Sequence, residues 1–275
     1  MNSKIQITIF QGAVGDRNDL ARPGAMAIGK LLAERLSLTP EIVGASGGMS
    51  RRGGWQDALD AARPSLNALS ARLDRLFTAK RKPLTASSRC ASSLATLPVV
   101  ARHHPDACVV WLDAHADLNT PRTSATGYLG GFSIAGPVGL WDSGLGSGLD
   151  LSAVILVGAR DIDPPEQKLI DDGKLQWVPA GDGLVERLRC AINGRAVYIH
   201  LDCDVLNPGI VPTEYEVPGG LSLDDLYHLC QVIAENDIVG AELAEFQISQ
   251  TENATPVSPA SLLDALSPMI NGLNK

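Results

Sequence analysis

Aromatic side chains make up only 4% of this 275-residue chain, so its core must rest on Leu, Val, Ile and Ala. Cysteine is sparse too. Cys90, Cys108, Cys190, Cys203 and Cys230 are odd in number and widely scattered, which excludes a disulfide framework and suits a reducing cytoplasm. Four of the five have a simple reading as core residues, and Cys90 needs a separate account. Basic charge is in deficit: 31 acidic against 23 basic residues leave a net charge of −8, which argues against a nucleic-acid surface. No apolar run is long enough for a transmembrane helix, so no membrane partner is expected. The first ten residues alternate like a strand and lack the apolar core of a signal peptide. Internal repeats and a His-Glu-x-x-His zinc signature are also missing.

What is present is a regular alternation. Strand-like apolar runs fall at 5–10, 41–45, 83–87, 107–112, 153–158, 175–178, 196–202 and 239–246. Most are separated by helical patterns, the clearest at 19–36, 55–80 and 90–103. This predicts an α/β fold, three α/β/α layers around a mainly parallel sheet of about eight strands. A glycine-rich loop holds Gly47, Gly48, Gly53 and Gly54. The stretches 120–137 and 144–148 read as long loops at the working end. No boundary divides the chain, so 1–275 is expected to be a single domain. In such sheets, ligands bind beyond the carboxyl ends of the strands.

Two strand ends carry the chemistry. After 107–112 come Asp113, His115 and Asp117, alternating at period two and so projecting on one side. After 196–202 come Asp202 and Asp204. Four carboxylates and one imidazole converging there repel one another unless a cation intervenes. The plainer alternative is a turn aspartate with a surface histidine. Oxygen-rich donors suit a hard or borderline ion such as Mn²⁺, and bridging aspartates between two ions would use them all.

Asp-Ala-His-Ala-Asp117 with Leu-Asn-Thr-Pro121 behind it, then Asp202-Cys-Asp-Val-Leu-Asn-Pro208 and Val217-Pro-Gly-Gly-Leu-Ser222, resembles the arginase/agmatinase (ureohydrolase) family. The resemblance runs from about Pro83 to Gln247. It implies an arginase-like domain, a centre of two Mn²⁺ per chain, and hydrolysis of a guanidino carbon. Residue by residue, it implies that Asp113 and Asp202 bridge the ions. Asp117 completes the first ion's shell, and His115 and Asp204 bind the second. Asp117 would pass a proton to the leaving amine, and Glu245 would pair with the guanidinium; a surface glutamate is the alternative there. Asn119 and Thr126 fall where the family binds an α-carboxylate. Asp161, Asp163 and Glu166 fall where it meets the α-ammonium, although an acidic helix start would look the same.

Three positions depart from the family pattern. Cys90 stands where a histidine would bind the first ion. Gly130 stands where a histidine shuttles protons, with Tyr128 in place of a smaller polar residue. Asn207 replaces the last aspartate of the second motif. Cys90 and the segments 126–131, 139–146 and 157–163 resemble the branch of the family that cleaves Nω-hydroxy-L-arginine to hydroxyurea and L-ornithine. A thiolate donates more charge than imidazole, making a weaker Lewis acid that captures an N-hydroxyl less readily. Two alternatives stay open: an arginase or other guanidino-acid ureohydrolase, and a degenerate subunit serving binding or assembly. The expected partners are a small guanidino amino acid and further copies of the chain, as a homo-oligomer.

Overall fold

The computed structural model describes residues 3–45 and 54–275, so the glycines at 47, 48 and 53 lie outside the described residues. All eight expected strands form. They are β1 (Ile5–Phe10), β2 (Glu41–Val43), β3 (Lys82–Ala86), β4 (Cys108–Leu112), β5 (Val154–Val157), β6 (Gln176–Val178), β7 (Val197–Asp202) and β8 (Ile238–Ala244). They make one sheet in the order β2-β1-β3-β8-β7-β4-β5-β6, and every pairing is parallel. The helices are α1 (Ala21–Leu36), α2 (Trp55–Thr78), α3 (Ser93–His103), α4 (Pro164–Asp171), α5 (Leu184–Ile192), α6 (Leu223–Ile233), α7 (Ala260–Ala265) and α8 (Ser267–Leu273).

The alternation of strand side chains builds two cores. On β4, Cys108, Val110 and Leu112 join the layer with α1, α5, α6, α7 and α8. Val109 and Trp111 face the opposite layer, where α2, α3 and α4 pack. Covering both faces is why these strands read as continuous apolar runs. One cysteine expectation is corrected: Cys190 is exposed. Its helix α5 buries Leu184, Leu188, Ala191 and Ile192, and Cys190 lies on the other face. The stretch 144–148 is a loop, as expected. Gly144 packs against Arg63 of α2 and Gly146 against Pro98 of α3, and the loop does not line the cavity described below.

Because β3, β8, β7 and β4 are the central strands, their carboxyl ends lie side by side. A parallel sheet points all those ends the same way, so segments far apart in the chain share one site.

Candidate active site

The central strands deliver their polar residues at or shortly beyond their carboxyl ends. Beyond β3 lie Arg89 and Cys90, the latter opening a 3-10 turn at Cys90–Ser92. Beyond β4 lie Asp113, His115 and Asp117; β7 ends in Asp202 with Asp204 next; β8 is followed by Glu245. A cavity of about 220 Å³ opens on these ends. Its wall includes Cys90, His115, Asp117, Asp202, Asp204 and Glu245, together with Asn119, Thr126, Asp161, Asp163 and Glu166. Asp113 is 1% exposed and lies at the β4 end beside this wall.

Three donor sets converge closely enough for one ion each: Cys90, Asp202 and Glu245; Asp113, His115 and Asp204; and Cys90, Asp113 and His200. Asp117 belongs to none of the three, although it is buried and lines the cavity. His115 Nδ1 lies 3.2 Å from Asp113 and 3.1 Å from Asp204. Burial opposes its charge, but hydrogen bonds to Asp113 and Asp204 raise its pKa far above the usual histidine value. Burial, then Asp204, pushes Asp113 up. Burial and neighbouring carboxylates push Asp117 and Asp202 well up. Such crowding is what a divalent cation relieves, and carboxylate, imidazole and thiol donors are all at hand, so the residues fit a metal.

Two backbone positions are strained. Among the described non-glycine residues, five have positive φ. Ser37 and Asn193 cap helix ends, and Lys80 follows α2. The other two are Asp117 (φ 50°) and Glu245 (φ 64°). Strain of this kind persists only where the surroundings enforce it, and it concentrates at functional sites.

Sequence reasoning passed over a buried polar layer behind the cavity. His200 and Glu242 sit opposite each other on β7 and β8, with His200 Nδ1 2.8 Å from Glu242 Oε1. Ser93, Thr96 and Tyr198 also donate to Glu242. The His200 ring stacks on Trp111 at 3.5 Å and brings Nε2 within 3.1 Å of Cys90 Sγ. Cys90 Sγ donates to Asp202 Oδ2 at 3.0 Å, so the thiol is held from two sides. The signal was available: a histidine and a glutamate inside fully buried strands both need partners.

Arg89 was also missed. It is fully buried and pairs with Asp16 (3.1 Å), Glu214 (2.6 Å) and Glu245 (2.7 Å). Burial works against its charge, but the carboxylates of Glu245, Asp16 and Glu214 outweigh it and raise its pKa. Glu245 accepts from Arg89 on one oxygen and from the Cys90 amide on the other. Burial still pushes Glu245 up to about 7.

The outer wall divides its work. Asn119 donates to Asp163 at 2.7 Å. Glu166 spends both oxygens on backbone amides, those of Leu118 and Asp163, so it ties α4 to the β4 loop. Asn207 exchanges two 2.9 Å hydrogen bonds with the backbone of Gly220. A carboxylate could not donate there, which accounts for the amide.

In the metal-free protein these acids link stability to pH. The folded pKa values of Asp113, Asp117, Asp202, Glu166 and Glu245 all lie above their unfolded values. Their stabilising contribution is therefore complete below the unfolded pKa and lost as pH rises through the folded one. For Glu166 and Glu245 that window runs from 4.5 to about 7. The thermal midpoint in chelator is expected to fall across it, and a rising midpoint would contradict the burial of these acids.

Parallel α/β/α layering brings buried acids together in a cavity beyond the strand ends, a donor set that fits a divalent metal. The arginase-family model matches residues 28–266. The chain belongs to the arginase family, a metal-dependent family, and is a hydrolase acting on amidino C–N bonds. It is 37% identical to the N(omega)-hydroxy-L-arginine amidinohydrolase of Streptomyces lavendulae, over 96% of both chains. It is 27% identical to an arginase of Bacillus caldovelox, over 76% of both. The structure of the Bacillus caldovelox arginase superposes with TM-score 0.79 at 25% identity, over 98% of each chain. That of the Bacillus subtilis arginase superposes with TM-score 0.82 at 21% identity, over 97% of this chain and 98% of that one.

Proposed function

We propose that this enzyme hydrolyses Nω-hydroxy-L-arginine to hydroxyurea and L-ornithine. The observation that carries the reading is Cys90: its thiol meets Asp202 and Glu245 where the family pattern has an imidazole donor. The full-length similarity to an amidinohydrolase of that substrate supports it.

We further propose two Mn²⁺ per chain. Cys90, Asp113, Asp117 and Asp202 would hold one, and Asp113, His115, Asp202 and Asp204 the other. When bound, such ions bring the pKa of water toward neutrality and so supply a nucleophile. The chain's own residues do the rest. Glu245 receives the guanidino group, its carboxylate held by Arg89 and the Cys90 amide. Cleavage of the C–N bond requires a proton on the leaving ornithine nitrogen. Asp117, buried and lining the cavity, carries that proton. Asn119 and Thr126 take the α-carboxylate, and Asp161 and Asp163 the α-ammonium. Glu166 acts beside them by fixing Asp163. The reading includes a single domain over 1–275, a cytoplasmic location and a homo-oligomer; no helix among the described residues is long and apolar enough to cross a membrane.

Mass spectrometry of the products tests the substrate, with hydroxyurea the expected product from hydroxyarginine. Urea from arginine as the faster reaction would instead make the protein a plain arginase. About two ions per chain are expected after dialysis against Mn²⁺. A protein that retained no metal would sink the catalytic reading altogether.

A further inference from the structure

The departures at Gly130 and Tyr128 turn out to be one change. A Cβ placed on Gly130 would stand 2.4 Å from Cε1 of the Tyr128 ring and 3.0 Å from its Cζ. The backbone at Gly130 is not left-handed, so conformation does not demand glycine there. The ring does. Tyr128 fills the space that any side chain at position 130, including the histidine of the family pattern, would enter.

The ring is held in place. The Arg17 guanidinium carbon lies 4.5 Å from its centroid, and the Tyr215 ring centroid is 5.9 Å away. Tyr128 lines the same cavity as Cys90, Asp117 and Glu245. Its hydroxyl is buried and has no hydrogen-bond partner among the described residues. Burial, then Glu245, pushes the phenol well above its usual range, so it stays protonated and able to donate. A buried hydroxyl without a partner is costly, and a ligand group entering the cavity that Tyr128 lines would satisfy it.

We propose that the Tyr128 hydroxyl is a specificity-determining group that hydrogen-bonds the N-hydroxyl of the substrate, with Gly130 as the gap that admits its ring. This rests on the hydroxyarginine reading. Arginine has no such hydroxyl and leaves the phenol unpaired in the bound state. Sites built to bond a substrate hydroxyl discriminate strongly against the analogue that lacks it.

Tyr128→Phe keeps the ring and its contact with Arg17 and removes only the hydroxyl. The ratio of kcat/KM for hydroxyarginine to that for arginine is expected to fall about 10- to 100-fold, the range for one lost hydrogen bond to a buried group. Its thermal midpoint should not drop, because the hydroxyl lost has no partner within the protein; a structural role would lower it. Gly130→Ala, which displaces the ring without touching the phenol, should lower the same ratio. An unchanged ratio in Tyr128→Phe overturns the inference alone. A wild-type enzyme that prefers arginine overturns it together with the hydroxyarginine reading.

Discussion

Asp202→Asn is expected to lose about three orders of magnitude in turnover, a loss of several kcal/mol of transition-state stabilisation. Its metal-free form should at the same time become more stable than the wild type. The two effects share one cause. Asp202 is the last residue of β7 and 4% exposed. One oxygen accepts from the Asp204 amide at 2.8 Å and the other from Cys90 Sγ at 3.0 Å. It thus stands between the Cys90 and the Asp204 donor sets, which suits a carboxylate shared by two ions. Without metal, burial and the charges of Asp204, Asp113 and Glu245 push its carboxyl well up. An amide of nearly equal volume removes that repulsion, so the variant gains stability where the wild type is strained. The midpoint rise on adding Mn²⁺ should shrink in the variant, since ligand-induced stabilisation follows affinity. Turnover within tenfold of wild type would show that Asp202 is not a shared ligand.

The strands were legible because burial on both faces makes continuous apolar runs, and each run appears within a residue or two of its expected place. The acids at the ends of β4 and β7 were legible because they crowd directly behind buried strands, although the period-two spacing does not survive: Asp204 lies in a 3-10 turn and Asp117 has a left-handed backbone. Contacts that depend on strand order were not. Arg89 follows β3 and meets Glu245 beyond β8, 156 positions away. Only the placement of β8 beside β3 brings them together. His200 and Cys90, 110 positions apart, illustrate the same limit. The Gly130–Tyr128 relation is local but steric, and a motif comparison registers it as two unrelated differences. Position on a helix face decided Cys190, where residue type alone pointed inward.

Arg89→Met is the substitution expected to cost most stability. Methionine fills much of the same volume, so the loss isolates charge and hydrogen bonding rather than a cavity. The guanidinium spans Asp16, Glu214 and Glu245 and also donates to Asn18. Removing it leaves Asp16 and Glu245, both nearly inaccessible to solvent, without their shared cation. Removing one partner of a buried ion pair typically costs about 3–5 kcal/mol, much of it the penalty on the charge left behind. For a chain of this size that corresponds to a fall in thermal midpoint on the order of 10 °C. Arg89→Lys should recover only part of it, because one ammonium cannot reproduce a planar fork reaching three carboxylates and an amide. Adding Glu245→Gln to Arg89→Met should restore some stability by removing one orphaned charge, a coupling that a double-mutant cycle measures directly. Calorimetry of the metal-loaded proteins decides the matter. A midpoint within about 2 °C of wild type for Arg89→Met, less than 1 kcal/mol at this size, would mean that water already compensates these acids. In that case Arg89 would not be what anchors Glu245 at the site.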